Sequence, residues 1–317
     1  MALQFGRNAF LNISDTAEST YGDGGSSFTI YNRIFSCTLK KVEERVQTAK
    51  LTTTDGGFAR GQFKVSTQVS GTIEIPLQYE GVGIWLKNAL GSATTYTSTG
   101  SAPYEHTYKA DTTDLPTFGI KFQRGSGDME YFKGMMISSM TLSVTAGEEA
   151  KLSCDMIGQD SAARAGSITA TYGDGEQAYH YQAGQFNFNS VNYDLYSFEL
   201  TIDNKLEERR TLGSTLTASP DVNDIREVTI TVTCGLDDNN LYNAQLAGTT
   251  SNCTLTFTDG ADSIAITLYN AVVMDYSDEV TTAGRLERTA TFKGFSSAAN
   301  EAVEIKITNQ DSSAVGN

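Results

Sequence analysis

A stretch that changes hydrophobic period halfway constrains the fold most: Val69 to Gly91, VSGTIEIPLQYEGVGIWLKNALG. Val69, Gly71, Ile73, Ile75 and Leu77 alternate with Ser70, Thr72, Glu74 and Gln78. Successive side chains of a strand point to opposite faces, so this is the pattern of a half-buried strand. After Glu80, the residues Ile84, Trp85, Leu86, Ala89 and Leu90 fall on one stripe of a short helix, and Gly91 stands where a left-handed C-terminal cap would close it. The same order returns in Glu227 to Gly248, EVTITVTCGLDDNNLYNAQLAG. There an alternating strand (Val228, Ile230, Val232, Cys234) leads through an acidic and amide cluster suited to capping into Leu241, Ala244, Leu246 and a closing glycine. A strand running into a helix, used twice, predicts a tandem duplication.

Other segments repeat in the same order. Ser197 to Arg209, SFELTIDNKLEER, lines up with Phe35 to Arg45, FSCTLKKVEER, which sets Glu43, Glu44 and Arg45 opposite Glu207, Glu208 and Arg209. Cys253 to Phe257 corresponds to Thr117 to Phe122, Ile264 to Tyr276 to the strands before Val144, and Arg285 to Phe295 to Ala150 to Asp160. Tyr172 to Gly175 echoes Tyr21 to Gly24. The expected fold is mainly β: two tandem β-sandwich or β-barrel modules, each with one short flanking α-helix. Residues 28–165 form the first module and 186–296 the second, with 166–185 as a small, polar linker. Residues 1–27 and 297–317, poor in periodic apolar residues apart from Val303 to Ile307, are expected to be arms.

Composition agrees with many strands joined by tight turns: 29 Gly, 4 Pro, 15 Tyr and 15 Phe in 317 residues. No apolar stretch is long enough to span a bilayer, and the N-terminus lacks the basic and apolar regions of a secretory signal, so a cytoplasm-like compartment is expected. Cys37, Cys154, Cys234 and Cys253 are widely spaced singletons, which points to free thiols rather than a disulfide framework or a zinc site. A net charge of −15 argues against a general nucleic-acid binder, whose affinity comes from Lys and Arg.

The residues offer little chemistry. His106 and His180 sit in Tyr-rich segments of different halves with no nucleophile motif nearby, and read as solvated loop histidines. Gly125 to Gly127 reads as a hairpin turn rather than a phosphate loop. Asp237, Asp238, Asn239 and Asn240 lack the spacing and terminal Glu of a calcium loop and read as a helix cap. The pairs Glu43/Glu44 and Glu207/Glu208 are adjacent in sequence beside Arg, a solvated pattern rather than an acid/base pair. No catalytic, cofactor-binding or metal-binding residue is assigned, and the chain reads as a non-enzyme. Two other classes fit parts of the pattern. A decoration, receptor-binding or adhesin-like β-sandwich would expose an aromatic or metal-containing pocket, and a glycan hydrolase would need two carboxylates facing each other across a cleft.

The runs GTIEIPLQYEGVGIWLKNALGS, PYEHTYKADTTDLPTFGIKF, YFKGMMISSMTLSVTAGEEAKLSCDMIGQD and YQAGQFNFNSVNYDLYSFELTIDNKLEERRTLGS carry a resemblance that extends from about Phe28 to Phe295. In their order they resemble a major tail tube protein of a long, non-contractile-tailed bacteriophage. The resemblance implies rings of six β-sandwich modules, each flanked by a helix, whose strands close into one barrel around a channel for double-stranded DNA. It implies stacking of rings through a long loop and the chain termini, a tape measure protein and other tail proteins as partners, no membrane insertion, and a place in the virion after assembly in the host cytoplasm. Two modules per chain would make three chains one pseudo-sixfold ring. On that reading the segment from Val42 to Gly61, with Glu43, Glu44, Arg45, Lys50, Asp55 and Arg60, is the stacking hairpin. Glu74, Glu80, Asp224 and Glu227 are the candidate acidic residues of the channel wall. Deleting Lys50 to Arg60 is expected to leave a folded monomer, by circular dichroism, that no longer stacks into tubes under the electron microscope; normal tubes from the deletion would refute the assignment.

Overall fold

A computed structural model describes residues 6–47, 61–96, 102–110, 115–125, 127–170, 178–180, 184–280 and 285–314. Among these the chain is mainly β, with two α-helices, Gly83–Leu90 (α1) and Asn240–Ala247 (α2). The first half has a front and a back layer. In front, Ser36–Cys37 and Lys40–Gln47 pair with Gln62–Pro76, which pairs with Lys151–Gly158, which pairs with the C-terminal part of Met129–Thr145. Behind, the N-terminal part of Met129–Thr145 continues to Phe118–Gln123, Phe10–Ile13 and Ile30–Asn32. The second half repeats this connectivity. Leu195–Asp203, Glu227–Gly235, Glu287–Lys293 and the C-terminal part of Asp262–Ser277 make its front layer. The N-terminal part of Asp262–Ser277, Thr250–Asp259, Gly184–Phe188 and Val191–Tyr193 make its back layer.

The repeat holds residue by residue. Ser36, Glu74, Ser153 and Thr141 form one row across the first front layer, as Ser197, Thr233, Thr289 and Ser277 do across the second. Each long strand carries one unpaired bulge residue at the same place, Ser138 or Met274. Each also passes from back to front layer at a positive φ, 66° at Gly134 and 48° at Asn270. Glycine takes that conformation freely and asparagine is among the side chains that tolerate it, so both sequences permit the bend. The strict register corrects one expectation: Glu43 to Arg45 fall level with Asn204 to Leu206, and Glu207 to Arg209 lie three residues further along, because the two hairpins differ in length.

Period-two alternation turns one side of each front strand inward. Ile73, Ile75, Leu152, Cys154, Met140 and Leu142 are buried in the first half, and Phe198, Leu200, Ile230, Val232, Ala290 and Phe292 in the second. The helices differ less in length than in cover. Nearly all of α1 is buried, its Trp85 indole Nε1–H donating to Asn32 Oδ1 at 3.0 Å, and Gly91 closes it at φ 100° with its N–H on the Lys87 carbonyl. In α2 only Leu241 and Ala244 are buried. Asp238, rather than the residue next to the helix, supplies the start signal, accepting the Asn240 N–H at 2.9 Å while the buried Arg288 guanidinium donates to it at 2.8 Å.

The halves join twice. The front layers meet edge to edge, Leu195–Asp203 pairing with Met129–Thr145 in the register Ser197 to Thr145 through Asp203 to Ser139. Behind, Val303–Asn309 lies between Tyr104–Ala110 of the first half and Asp262–Ser277 of the second. The supposed arms are therefore packed. The C-terminal segment adds a sheet strand and the clamp of Asp311 on the Gly81 N–H at 3.1 Å. Phe10–Ile13 is a sheet strand, and Glu18 accepts the N–H groups of Gly22, Gly24 and Gly134 at 2.7–2.8 Å, tying the lead-in to the first half. Their apolar residues are few, but main-chain pairing and a carboxylate replace hydrophobic period as the fixing force. His106 is corrected as well: it is fully buried in the Tyr104–Ala110 strand with Nε2 2.8 Å from the Asp311 carbonyl, whereas His180 is partly exposed.

Gly71 marks a close backbone crossing in the front layer. Its φ is 149°, and a Cβ there would lie 2.7 Å from the Thr38 carbonyl oxygen and 2.8 Å from Leu39 Cα. Gly71→Ala is expected to lower stability by about 1–3 kcal/mol in urea unfolding, since backbone rather than a movable side chain blocks the site; an unchanged midpoint would refute this.

Candidate assembly surfaces

With the apolar side of the front sheet turned into the core, its other side is left to polar residues. Across the sheet run Ser36 and Thr38, then Thr72 and Glu74, Ser153 and Asp155, and Ser139, Thr141 and Ser143. Past the joint come Glu199, Thr201 and Asp203, Thr229, Thr231 and Thr233, Thr289 and Thr291, and Asp275 and Ser277. Hydroxyls link neighbouring strands, with Thr141 to Thr201 at 3.4 Å, Thr231 to Thr291 at 3.2 Å and Thr233 to Thr289 at 3.3 Å. Asp155 accepts from Thr72 and Ser139, and Glu74 accepts from Ser36 at 2.8 Å. Such cross-strand hydroxyl pairs hold a wet face rigid without apolar contacts.

Of the four acidic residues singled out from sequence, Glu74 lies on this face and Glu227 at its end. The Lys293 ammonium, 2.6 Å away, and then Lys205 hold the Glu227 carboxyl below the usual carboxylate range. Glu80 and Asp224 lie off the sheet, Glu80 in the bend before α1 and Asp224 in the bend before Glu227–Gly235, so neither joins the face. Sequence alternation could not reveal this, since both stand just beyond the strands whose period it reads.

Two strand edges of the front sheet have no partner among the described residues: Lys40–Gln47 at one end and the Asp275–Ser277 end of the last strand at the other. Glu43, Glu44 and Arg45 stand on the first edge, exposed, whereas Lys50, Asp55 and Arg60 lie outside the described residues. Glu43 meets Lys64 at 3.0 Å and Arg45 at 2.9 Å, and the Lys64 hydrogen bond followed by that of Arg45 holds its carboxyl down at about 2. Glu44 meets Arg210 at 2.7 Å, which Glu208 also contacts at 2.9 Å, so the two acidic segments end beside one another around one guanidinium.

The joint between the halves is locked by residues that composition and period did not single out. Asn204, fully buried, donates from Nδ2 to the carbonyls of Ala89 at the end of α1 (3.0 Å) and Ile137 beside the bulge (2.9 Å). Its Oδ1 accepts from Arg226 Nε at 2.9 Å, and the Arg226 guanidinium also reaches the carbonyls of Ala89 and Leu90. A cation at a helix C-terminus satisfies carbonyls that the helix itself leaves unpaired. The segment after Asn204 also covers the first half, its Thr215 carbonyl accepting the Thr67 N–H at 2.7 Å and its Thr217 carbonyl accepting Gln159 Nε2 at 3.1 Å.

Residues 6–294 match the family described as phage tail tube protein. The chain belongs to that family. Among curated proteins none matches it. As a tail tube protein it is a structural component of a phage virion that self-assembles into a tube with other tail proteins. Among the described residues no cluster of His, Cys, Asp or Glu is grouped to hold a metal ion, and no helix is long and apolar enough to cross a membrane.

Asn204→Ala removes three hydrogen bonds from a fully buried position of this tail tube protein. It is expected to cost about 1–3 kcal/mol in urea unfolding, because the Ala89 and Ile137 carbonyls and the Arg226 guanidinium are left short of partners; wild-type stability would show that the lock is idle.

Proposed function

We propose that the chain forms closed rings of three copies that stack into the tube of a long, non-contractile phage tail, with the polar sheet face lining a channel for double-stranded DNA on its way into the host. The observation that carries this reading is the internal joint: Leu195–Asp203 of the second half pairs edge to edge with Met129–Thr145 of the first, as neighbouring ring positions would; on this reading residues 28–165 and 186–296 are the two modules, on either side of a 166–185 linker. Repeating that joint between copies pairs the two open edges and leaves no unpaired amides, which is what closed symmetric assemblies achieve.

The size of the barrel favours three. Each chain supplies eight strand positions to the front sheet, four from each half. For strands spaced about 4.8 Å and tilted about 40°, roughly 24 positions close a cylinder about 48 Å across at the backbone, wide enough for a duplex inside the side chains. Two copies would leave roughly two thirds of that width by the same geometry, too little once side chains are subtracted. The lining fits passage rather than binding. Glu74, Asp155, Glu199, Asp203 and Asp275 repel phosphate, and the lysines on the same face, Lys151 and Lys293, are paired with Glu148 and Glu227. Before ejection the same channel would hold a tape measure protein, and the edge strand bearing Glu43, Glu44 and Arg45 leads into the segment that would contact the next ring, with assembly taking place in the host cytoplasm.

Negative-stain electron microscopy of the purified protein across concentrations, with light-scattering mass on the same fractions, tests the reading. Hollow tubes or rings with a mass of three chains are expected. Rings of six chains would overturn the stoichiometry, and a persistent monomer would overturn the assembly.

A further inference from the structure

The internal repeat assigns not only a partner for each open edge but its register. We infer that the Asp275–Val280 segment of one copy adds antiparallel to the Thr38–Val42 edge of a second copy, with Asp275 opposite Val42, Ser277 opposite Lys40 and Glu279 opposite Thr38. This rests on the ring reading above and specifies the contact within it. The shared rows and bulges make Val144–Ser139 equivalent to residues 280–275, and Phe198–Asp203 equivalent to residues 37–42. The observed pairs Glu199 with Ser143, Thr201 with Thr141 and Asp203 with Ser139 then become the three pairs named. Direction agrees: neighbouring strands of the front sheet are antiparallel throughout, and with eight positions the two open edges run opposite ways, so a second copy continues the alternation.

Two independent observations favour this occupant. Charge is complementary: Lys40 makes no ion pair among the described residues, and the register sets it diagonally between Asp275 and Glu279 on the same face, within reach across an antiparallel pair. Cover is missing where the repeat says cover belongs. Ala89, Ser138 and Gln159 of the first half lie under or beside the segment beginning at Asn204; their counterparts Leu246, Met274 and Phe295 are bare, with 69%, 55% and 43% of their surface exposed. A second copy placed in this register lays its own edge strand over that patch.

Cysteine pairs read the register directly. At the internal joint Asn204 N–H donates to the Ser138 carbonyl and Ala146 N–H to the Tyr196 carbonyl, so Thr201 and Thr141 are a non-hydrogen-bonded pair, with Cα atoms about 4.5 Å apart. Lys40 and Ser277 inherit that spacing, which a disulfide spans. In a Cys37→Ser background, Lys40→Cys with Ser277→Cys is expected to give covalent dimers and closed trimers on mild oxidation, at least about tenfold faster than Lys40→Cys with Asp275→Cys, where the geometry is wrong. As a check that needs no cross-link, Lys40→Glu is expected to raise the concentration for half-assembly about five-fold, and Glu279→Lys in the same chain to restore it. Rings that form while the out-of-register pair cross-links as fast, or while neither does, or that are not restored by the charge exchange, overturn the register and leave the ring standing. A wild-type chain that stays monomeric by light scattering overturns the ring reading and this inference with it.

Discussion

Everything in this molecule depends on what happens to the main-chain groups at the margin of a sheet. A strand with one free side presents a row of donors and acceptors that water satisfies and that any other strand can capture. The chain resolves this at its centre by pairing Leu195–Asp203 with Met129–Thr145, so that two sheets of four positions become one of eight. Side chains follow: Asn204 and Arg226 bond to the end of α1 because that joint brings them there. The same cover is lacking at α2, whose exposed Tyr242 and Leu246 are out of keeping with a finished surface.

The polar face and the apolar core are two readings of one strand period. Each front strand gives alternate residues to either side, so a core of Ile, Leu, Met and Phe obliges the remaining positions to choose among Ser, Thr and charged residues. Thr serves doubly, since its branched Cβ suits an extended backbone and its hydroxyl bridges to the neighbouring strand. A wet, mildly acidic sheet face results, its strands linked by hydroxyls.

Much of this was legible in the sequence wherever a period carried it. The strand into helix at Val69 to Gly91 and its return at Glu227 to Gly248 follow from alternation and caps, whereas the match of Cys253 to Phe257 with Thr117 to Phe122 finds the right strands but misses their register, in which Cys253 falls level with Ile120. Reading failed where the fixing force is main chain or buried polarity. Phe10–Ile13 and Val303–Asn309 are too short to announce themselves as more than arms, and are held by partners more than a hundred residues away in sequence. His106 reads as polar in a Tyr-rich segment, yet strand pairing buries it against the Asp311 carbonyl. The repeated Glu-Glu-Arg invited an alignment that register refuses, because identical letters in hairpins of different length need not share a level. Asn204 and Arg226 carry no local signature, since their partners are carbonyls of a distant helix.

The position of Val303–Asn309 has a consequence for how the molecule comes into being. Its strand neighbours, Tyr104–Ala110 and Asp262–Ser277, cannot both be satisfied until this segment has inserted between them. Contacts of such long sequence separation form late and slowly, because the loop between them must close before pairing rewards it. Until that insertion the two halves lack their junction at the back, however well each has formed its own front layer.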